Sequence, residues 1–468
     1  MATSIKISIT IDTLSFKDII IFKEGTDRYL YHTSSGLIFN VTDSSYDYLE
    51  NLSDFNVDTT NDIHQLLIAS IQHYGNKLIP QEHLPYKPSC LVLNISGQCN
   101  LKCPYCFSQG KHGFKFKSMS LKTCLDSVKY LIESNPDRKD FTIGLFGGEP
   151  FLEYQLIETL LRRINESYPD YQFTYSITTN GTVINERMLK VLKKYNTSLI
   201  VSLDGPKEIV NINRPNKNPH HDTFELVMRT SQILKENKVP FIYRATITAD
   251  NMDLMKTVLF FEQLETPYYI VFCFESSNEN SSTYALRGAA VLDDVSEQID
   301  KVYSYYYAQI SAGKKVWGYY FLEKLISLYF QKRYEFPCGA GNTLISVTDN
   351  GNIFACMNYA PMPETRIGNI YLGIDEEAHN RYMSKPSAQI AECEDCILRY
   401  TCSGGCIAER CSVGNIYRPN ASMCELNKLI FKKDLIAFQH IKKHHCDFLK
   451  GLITTFNAKE LETISLTK

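Results

Sequence analysis

The stretch Gly97–Phe107, which reads Gly-Gln-Cys-Asn-Leu-Lys-Cys-Pro-Tyr-Cys-Phe, is the most informative part of the chain. Its cysteines, Cys99, Cys103 and Cys106, have the spacing Cys-x3-Cys-x2-Cys and offer three thiolates from one short loop. A cubane [4Fe–4S] cluster takes four ligands. Three protein thiolates therefore leave one iron open to a substrate or a cofactor. The alternative interpretation is a zinc knuckle or a set of reduced core thiols.

The composition is that of a globular protein of several domains. The chain has 468 residues, of which 44% are hydrophobic and 22% are charged, and this length predicts two to four domains. A net charge of −3 gives no support for a nucleic-acid partner. We find no signal-peptide pattern and no apolar run near the roughly 20 residues of a membrane helix. The spacing of the fifteen cysteines favours metal ligation over disulfides, which predicts a reducing, cytoplasmic location.

From residue 91 to about residue 276, strand patterns alternate with helical patterns. Six β/α units in series predict a parallel sheet with helices outside it. Ligands of such folds bind at the carboxyl ends of the strands, and the cysteine loop follows the first strand at that end. Ser120 is the predicted cap of the first helix. The predicted strands are Leu91–Ile95, Thr142–Phe146, Phe173–Thr178, Ser198–Leu203, Phe241–Ile247 and Tyr268–Phe274.

Polar motifs stand at the ends of the next strands. Gly147-Gly148-Glu149-Pro150 follows the second strand; its glycines allow the backbone to come close to a ligand, and its carboxylate accepts from an ammonium group. The third and fourth strands end in hydroxyl, amide and carboxylate groups that suit ribose or carboxylate contacts. Taken singly, each motif is also a common capped turn. The residues concerned are Thr179, Asn180, Ser202 and Asp204, with Arg214 further on.

The cysteine loop, with Tyr105 before its third cysteine, and the Gly-Gly-Glu-Pro motif closely resemble the radical SAM enzymes. The resemblance implies a partial (β/α)6 barrel whose open iron chelates the amino and carboxylate groups of S-adenosylmethionine. It also implies release of a 5′-deoxyadenosyl radical. Cys99, Cys103 and Cys106 are then the cluster ligands, and Arg244 is a weaker cofactor candidate. The implied cofactor contacts are Tyr105, Gly147, Gly148, Glu149, Thr179, Asn180, Ser202, Asp204 and Arg214.

A second group of cysteines resembles the SPASM domain, a carboxy-terminal extension of some radical SAM enzymes. Gly351 is predicted to form the tight turn of a hairpin with cysteines on its flanking strands. Zinc is the alternative metal, because four-thiolate zinc sites use similar spacings. The resemblance implies two auxiliary [4Fe–4S] clusters, one on Cys393, Cys396, Cys402 and Cys424 and the other on Cys338, Cys356 and Cys406.

The cluster implied on Cys338, Cys356 and Cys406 has three thiolates, one fewer than the four ligands of a cubane cluster. Its fourth ligand is Cys411, Cys90, a non-cysteine group, or nothing, and an open site could accept a thiolate of the substrate. Cys273 is either a packed core thiol or a hydrogen-atom donor inside the barrel.

The first 85 residues predict a small winged-helix-like unit. Tyr29–His32 and Leu37–Val41 form a predicted hairpin, and helical patterns follow at Ser45–Leu49 and Ile63–Tyr74. This unit loosely resembles leader-recognition domains, which capture a peptide as an added strand; a plain packing domain is the alternative. The remaining predicted divisions are the barrel at 90–315, a bridging segment at 316–337, the SPASM domain at 338–430 and a helical tail at 431–468.

The resemblance implies a maturase that modifies a ribosomally made precursor peptide carrying a leader. We expect a cross-link, with a thioether as first choice, and an electron donor such as flavodoxin or ferredoxin. In this hypothesis a substrate hydrogen is removed, the carbon bonds to a substrate sulfur, and an auxiliary cluster accepts the remaining electron. The alternatives are an anaerobic sulfatase-maturing enzyme that forms formylglycine, a peptide epimerase, and a non-enzymatic iron–sulfur scaffold.

Overall fold

The computed structural model describes most of the chain. Its described residues are 19–33, 35–51, 86–106, 117–273, 289–334, 336–359, 362, 365–383, 390–394, 396–412 and 418–455. The predicted helix at Ile63–Tyr74 lies outside this part, and the side chain of Cys411 is not described. No helix in the described ranges is long and apolar enough to cross a membrane.

Two β-sheets contain all the named strands of the described residues. The first has the order β1-β2-β3, and the second has ten strands in the order β13-β12-β11-β10-β4-β5-β6-β7-β8-β9. The strands are β1 (Ile19–Glu24), β2 (Asp27–His32), β3 (Leu37–Val41), β4 (Cys90–Ser96), β5 (Asp140–Gly147), β6 (Gln172–Thr179), β7 (Ser198–Ser202), β8 (Phe241–Ile247), β9 (Tyr268–Phe272), β10 (Leu344–Val347), β11 (Asn352–Phe354), β12 (Arg366–Asn369) and β13 (Gly373–Ile374).

Helices follow the strands of the large sheet and cover it with apolar faces. Ser120 caps the first of them by accepting from Thr123 N, as predicted. The helices are α1 (Asp43–Glu50), α2 (Leu121–Ser134), α3 (Tyr154–Ser167), α4 (Glu186–Lys194), α5 (Lys207–Asn213), α6 (Thr223–Glu236), α7 (Leu254–Gln263), α8 (Ala289–Ser311), α9 (Tyr319–Tyr329), α10 (Glu376–Met383), α11 (Ala391–Glu394), α12 (Ile407–Ser412), α13 (Ala421–His444) and α14 (Cys446–Thr455).

The six strands β4 to β9 pair in parallel and in chain order. Their side chains are buried on both faces near the centre; β4 is buried along its whole length, as expected for a parallel strand covered on both sides. The α/β half-barrel is therefore confirmed, and each predicted strand lies within about two residues of an observed one. The loops at the carboxyl ends of β4 to β7 meet at one edge of the sheet.

The cysteine-rich carboxy-terminal region continues the same sheet. β10 pairs in parallel with β4, with Leu344 opposite Cys90, and β11 to β13 extend the sheet in antiparallel order. Gly351, at φ +78°, makes the turn between β10 and β11, as predicted. Cys338 lies six residues before β10 and Cys356 two residues after β11, so the prediction that they stand on the strands was wrong. One sheet thus contains strands of both the predicted barrel and the predicted SPASM domain.

The amino-terminal sheet packs on the long helix α13. Its hairpin and α1 are as predicted. Tyr31 meets Phe431 edge-on at 5.3 Å between ring centroids, and Lys443 bonds Asp27 at 2.6 Å. β1 is the strand nearest to α13. Among the described residues β1 and β3 are the two edge strands of this sheet, each paired with β2 alone.

Candidate active site

The cysteine loop is held between two neighbouring segments by backbone hydrogen bonds. On one side, Gly148 N donates to Ser96 O and Glu149 N donates to Gln98 O, both at 2.7 Å. On the other side, Lys102 N donates to Pro215 O and Lys217 N to Asn100 O, both at 2.9 Å. The loop therefore keeps its shape through main-chain contacts.

The three thiols of this loop lie close enough to influence one another's ionisation. The charges of Cys99 and Cys106 act on Cys103, and burial raises the pKa of Cys103 to about 12 while Arg214 opposes the rise. Cys99 Sγ accepts from Leu101 N at 3.4 Å and from Asn180 Nδ2 at 3.7 Å. A buried thiol with a raised pKa needs a metal cation to become a thiolate. The three sulfurs of this loop fit three irons of a cubane cluster.

The two glycines of the Gly-Gly-Glu-Pro motif allow the close approach of two protein segments. A Cβ at Gly148 would lie 2.2 Å from Gln98 O, and one at Gly147, where φ is +134°, would lie 2.3 Å from Ser96 O. We predicted these glycines for a ligand contact, and that role stays a prediction; the contacts that the structure describes are with the cysteine loop. The motif therefore sets the position of that loop.

Glu149 is wholly buried and joins two strand ends. Its Oε1 accepts from Phe151 N at 3.0 Å and from Thr179 Oγ1 at 2.8 Å, while Oε2 accepts from Asn180 N at 2.6 Å. Burial raises its pKa to about 7, against the lowering effect of these hydrogen bonds. Asn180 also donates to Asn100 Oδ1 at 2.8 Å. The residues predicted at the ends of β5 and β6 thus meet beside the cysteine loop.

Asp204, also wholly buried, connects the end of β7 to the loop. Its carboxylate accepts from Tyr105 Oη at 2.6 Å, from Arg214 Nη2 at 2.9 Å and from Thr246 N at 2.9 Å. Burial raises the pKa of Tyr105 well above its usual value, so the phenol keeps the proton that it donates. The Arg214 guanidinium lies 5.5 Å from the centre of the Tyr105 ring.

Arg214, a member of this ion pair, and its chain neighbour Asn213 retain unused hydrogen-bonding atoms. Arg214 Nε and both side-chain polar atoms of Asn213 are buried and have no hydrogen-bond partner among the described residues. Unsatisfied buried groups of this kind are costly. A ligand with a carboxylate and an ammonium group would satisfy them: the carboxylate would accept from Arg214 Nε and Asn213 Nδ2, and the ammonium group would donate to Asn213 Oδ1. S-adenosylmethionine carries both groups. Ser202 is half-buried at the end of β7, opposite Arg244 in the register of β8.

Ionisable side chains link this site to the second cysteine region. The charges of Glu409 and Asp204 both act on Cys273, whose pKa burial raises to about 11. Burial raises the pKa of Glu409 to about 7, and the charge of Arg244 opposes this rise. Sequence reasoning missed Glu409, because a single glutamate three residues after a cysteine carries no recognisable signal.

The seven cysteines of the second region fall into two groups. In the first group, burial and the charges of three other cysteines raise the pKa of Cys402. Leu398 N donates to Cys396 Sγ at 3.4 Å, and Asn427 Nδ2 donates to Cys402 Sγ at 3.6 Å. A cavity of about 330 Å³ opens between them and reaches Cys406. The group consists of Cys393, Cys396, Cys402 and Cys424, the set implied for one auxiliary cluster.

Cys406 belongs to the other group. Charges of Cys338 and Cys356 act on Cys406, although Cys402 is nearer in sequence. Cys90 is fully buried and interacts with Cys356 alone of these thiols. The grouping coincides with the implied ligand sets, and the cluster assignments themselves stay predictions.

Comparisons with known proteins agree with this geometry. The radical SAM superfamily matches residues 93–260. An uncharacterized protein of Methanocaldococcus jannaschii is 33% identical over 166 residues, which span 36% of this chain and 55% of that protein. The radical SAM cyclopropyl synthase TigE of Paramaledivibacter caminithermalis is 25% identical, over 81% of each chain. The cysteine-type anaerobic sulfatase-maturating enzyme of Clostridium perfringens is 27% identical over 68% of this chain and 88% of that enzyme.

Solved structures show the same fold. Native anSMEcpe with bound AdoMet and the Kp18Cys peptide has a TM-score of 0.64 at 23% identity, covering 78% of this chain and 99% of that one. Streptococcus suis SuiB bound to its precursor peptide SuiA has a TM-score of 0.53 at 16% identity, covering 87% and 98%.

The half-barrel, with its cysteine loop at the carboxyl edge, places the chain among the α/β enzymes. The chain contains a radical SAM domain and is an enzyme of that superfamily. The radical SAM domain implies a [4Fe–4S] cluster and S-adenosylmethionine as cofactors.

Proposed function

We propose that this enzyme modifies a ribosomally made precursor peptide and installs a cross-link in it, with a thioether as first choice. The observation that carries the proposal is the joining of three features in one chain. These are the cysteine loop at the carboxyl edge of the half-barrel, the two cysteine groups behind it, and an amino-terminal sheet with the unpaired edge β3.

The cysteine loop would hold the cofactors of the first step. Cys99, Cys103 and Cys106 would ligate a [4Fe–4S] cluster, and Arg214, Asn213 and Glu149 would contact the S-adenosylmethionine. When bound, these cofactors supply a 5′-deoxyadenosyl radical that takes a hydrogen atom from the substrate. Asp204 positions Arg214 and Tyr105 through the bonds already described.

The cross-link requires a net oxidation of the peptide. A carbon-bound hydrogen atom leaves to the deoxyadenosyl group, the thiol proton leaves to a base, one electron leaves to an acceptor, and a carbon–sulfur bond forms. The cysteine groups at Cys393–Cys424 and at Cys338, Cys356 and Cys406 would ligate auxiliary clusters that accept this electron. Flavodoxin or ferredoxin is the proposed electron donor.

The amino-terminal sheet would bind the leader of the precursor. An extended peptide adds to an unpaired sheet edge through main-chain hydrogen bonds, and β3 offers such an edge, while β1 packs against α13. Hydrogen exchange of the enzyme with and without a precursor tests this step. We expect protection of the β3 amides and no change in β1; equal exchange in β3 with and without the peptide would refute leader capture there.

Formation of formylglycine is the second candidate function. It is supported by the 27% identity to the sulfatase-maturating enzyme over most of that enzyme's length. The SuiB and anSMEcpe structures were both solved with peptides bound, so a peptide substrate fits either candidate.

Mass spectrometry of the product separates the candidates. The probe is a cysteine-containing peptide encoded beside the gene, incubated anaerobically with S-adenosylmethionine and dithionite. A cross-link removes two hydrogens from the peptide, formylglycine formation exchanges the sulfur and two hydrogens of a cysteine for one oxygen, and epimerisation changes no mass. An enzyme with full iron content that forms no 5′-deoxyadenosine would support the scaffold alternative. The matched control is the triple variant of Cys99, Cys103 and Cys106 to alanine, which should lose about four of about twelve irons.

A further inference from the structure

Three metal-binding side chains meet where the amino-terminal sheet touches the end of α13. Glu24, from β1, and His440 and His444, from α13, each place one ligand atom within 4.8 Å of the other two. The histidines are four residues apart, so their imidazoles lie on the same face of the helix. This cluster could not be predicted from the sequence, because Glu24 is 416 residues away from His440.

The contacts of Glu24 leave one of its oxygens unused. His440 Nδ1 donates to Glu24 Oε1 at 3.0 Å. Glu24 Oε2 is buried and has no hydrogen-bond partner among the described residues. The side chain as a whole is 11% exposed. A buried carboxylate oxygen without a partner is unfavourable, and a cation at this place would satisfy it.

Neighbouring groups hold the two histidines in place. The Tyr307 ring, from α8, stacks on His440 with 4.5 Å between ring centroids, and the rings of His440 and His444 are 4.9 Å apart. The ion pair between Asp27 and Lys443, at 2.6 Å, fixes the same junction between sheet and helix. These contacts restrict the orientations that the two imidazole rings can take.

We propose that Glu24, His440 and His444 bind one divalent transition-metal ion, with Zn²⁺ as first choice. Two imidazole nitrogens and one carboxylate oxygen are ligands that Zn²⁺ takes, with a further position for water. On binding, the metal takes the place of the Nδ1 proton in the contact between His440 and Glu24, and the neutral imidazole then carries its proton on Nε2. The ion would connect β1 to α13 and so attach the amino-terminal sheet to the rest of the enzyme. This site contains no cysteine and goes beyond the proposed peptide chemistry.

Cobalt binding to the full-length enzyme tests the proposal. The enzyme is first reconstituted with iron and sulfide, so that the cysteine sites are occupied, and is then titrated anaerobically with Co²⁺ without peptide or S-adenosylmethionine. We compare wild type with His444→Ala, and use His220→Ala as the matched control, because His220 is an exposed histidine on another part of the surface. We expect wild type and His220→Ala to bind one equivalent more than His444→Ala. The extra ion should show visible cobalt bands without a thiolate charge-transfer band, and Zn²⁺ should remove them.

Equal cobalt binding by wild type and His444→Ala would overturn the proposal, as would thiolate bands for the ion that the variant loses. His444 is exposed, so its replacement should leave the melting temperature of the metal-free enzyme unchanged. Added Zn²⁺ should raise the melting temperature of wild type and not that of His444→Ala. Because neither measurement involves a peptide, failure of the proposed peptide chemistry would leave this result unaffected.

Discussion

Replacing Asp204 with asparagine tests whether this residue positions the site or contacts the cofactor directly. In the structure its carboxylate is wholly buried and bonds Arg214, Tyr105 and Thr246 N. Asparagine is nearly the same size, but it has no charge and one fewer accepting atom. Arg214, only 8% exposed, would keep its charge without a counter-ion.

The expected effect is large because the ion pair is buried. Removing one partner of a buried pair costs about 3–5 kcal/mol, since the remaining charge is left uncompensated. Loss of the hydrogen bond from Tyr105 adds about 1 kcal/mol. Tyr105 lies between Cys103 and Cys106 in the loop, so the same change should loosen the cysteines and reduce iron binding.

Thermal unfolding and iron content measure these effects in the same preparation. Asp222→Asn is the matched control: Asp222 pairs with Lys207 in a partly exposed ion pair and caps α6. Asparagine is an equally good helix cap, and a surface ion pair contributes about 0–1 kcal/mol. We therefore expect a much lower melting temperature and iron content for Asp204→Asn, and neither change for Asp222→Asn.

The opposite pattern would refute this reasoning. If Asp204→Asn folds and binds iron as wild type does, but needs far more S-adenosylmethionine for half-maximal 5′-deoxyadenosine formation, then Asp204 acts as a cofactor contact. The resemblance to the family implied that role.

Three further predictions follow from particular contacts. Gly148→Ala should cost about 1–3 kcal/mol and lower the iron content, because its Cβ would meet Gln98 O at 2.2 Å; Gly451→Ala, with open space around it, should leave the iron content unchanged. Cys90→Ala should keep the full iron content, since Cys90 interacts with Cys356 alone among the nearby thiols, and a lower iron content would make Cys90 a cluster ligand. Burial raises the pKa of Asp434 from 3.8 to about 6, so the folded protein binds the proton more tightly and its stability falls as pH rises between these values. In Asp434→Asn that decrease should be smaller, which melting temperatures across the interval will show; the same slope in both proteins would contradict the assignment.

Much of the fold could be predicted because its signals are local. The apolar runs of β4 to β9 and the amphipathic helices between them fit a parallel sheet, and Ser120 and Gly351 occupy the cap and turn for which their residue types are suited. The candidate site was predicted in part for the same reason: motifs at the ends of successive parallel strands must meet at one edge. Their individual contacts were not predictable. The sequence did not show that Gly148 packs against Gln98 or that Asp204 bonds Tyr105 and Arg214, and the expected ligand contacts of both residues stay predictions.

The sequence by itself determined the cysteine loop, the half-barrel and the direction in which the strand ends point, since spacing and periodicity act over a few residues. Only the tertiary structure decided which distant groups come together. It placed β10 beside β4, brought Cys406 to Cys338 and Cys356, and joined Glu24 to His440. Such contacts depend on how whole elements pack, and packing is decided by the burial of complete apolar faces. No short stretch of sequence contains that information.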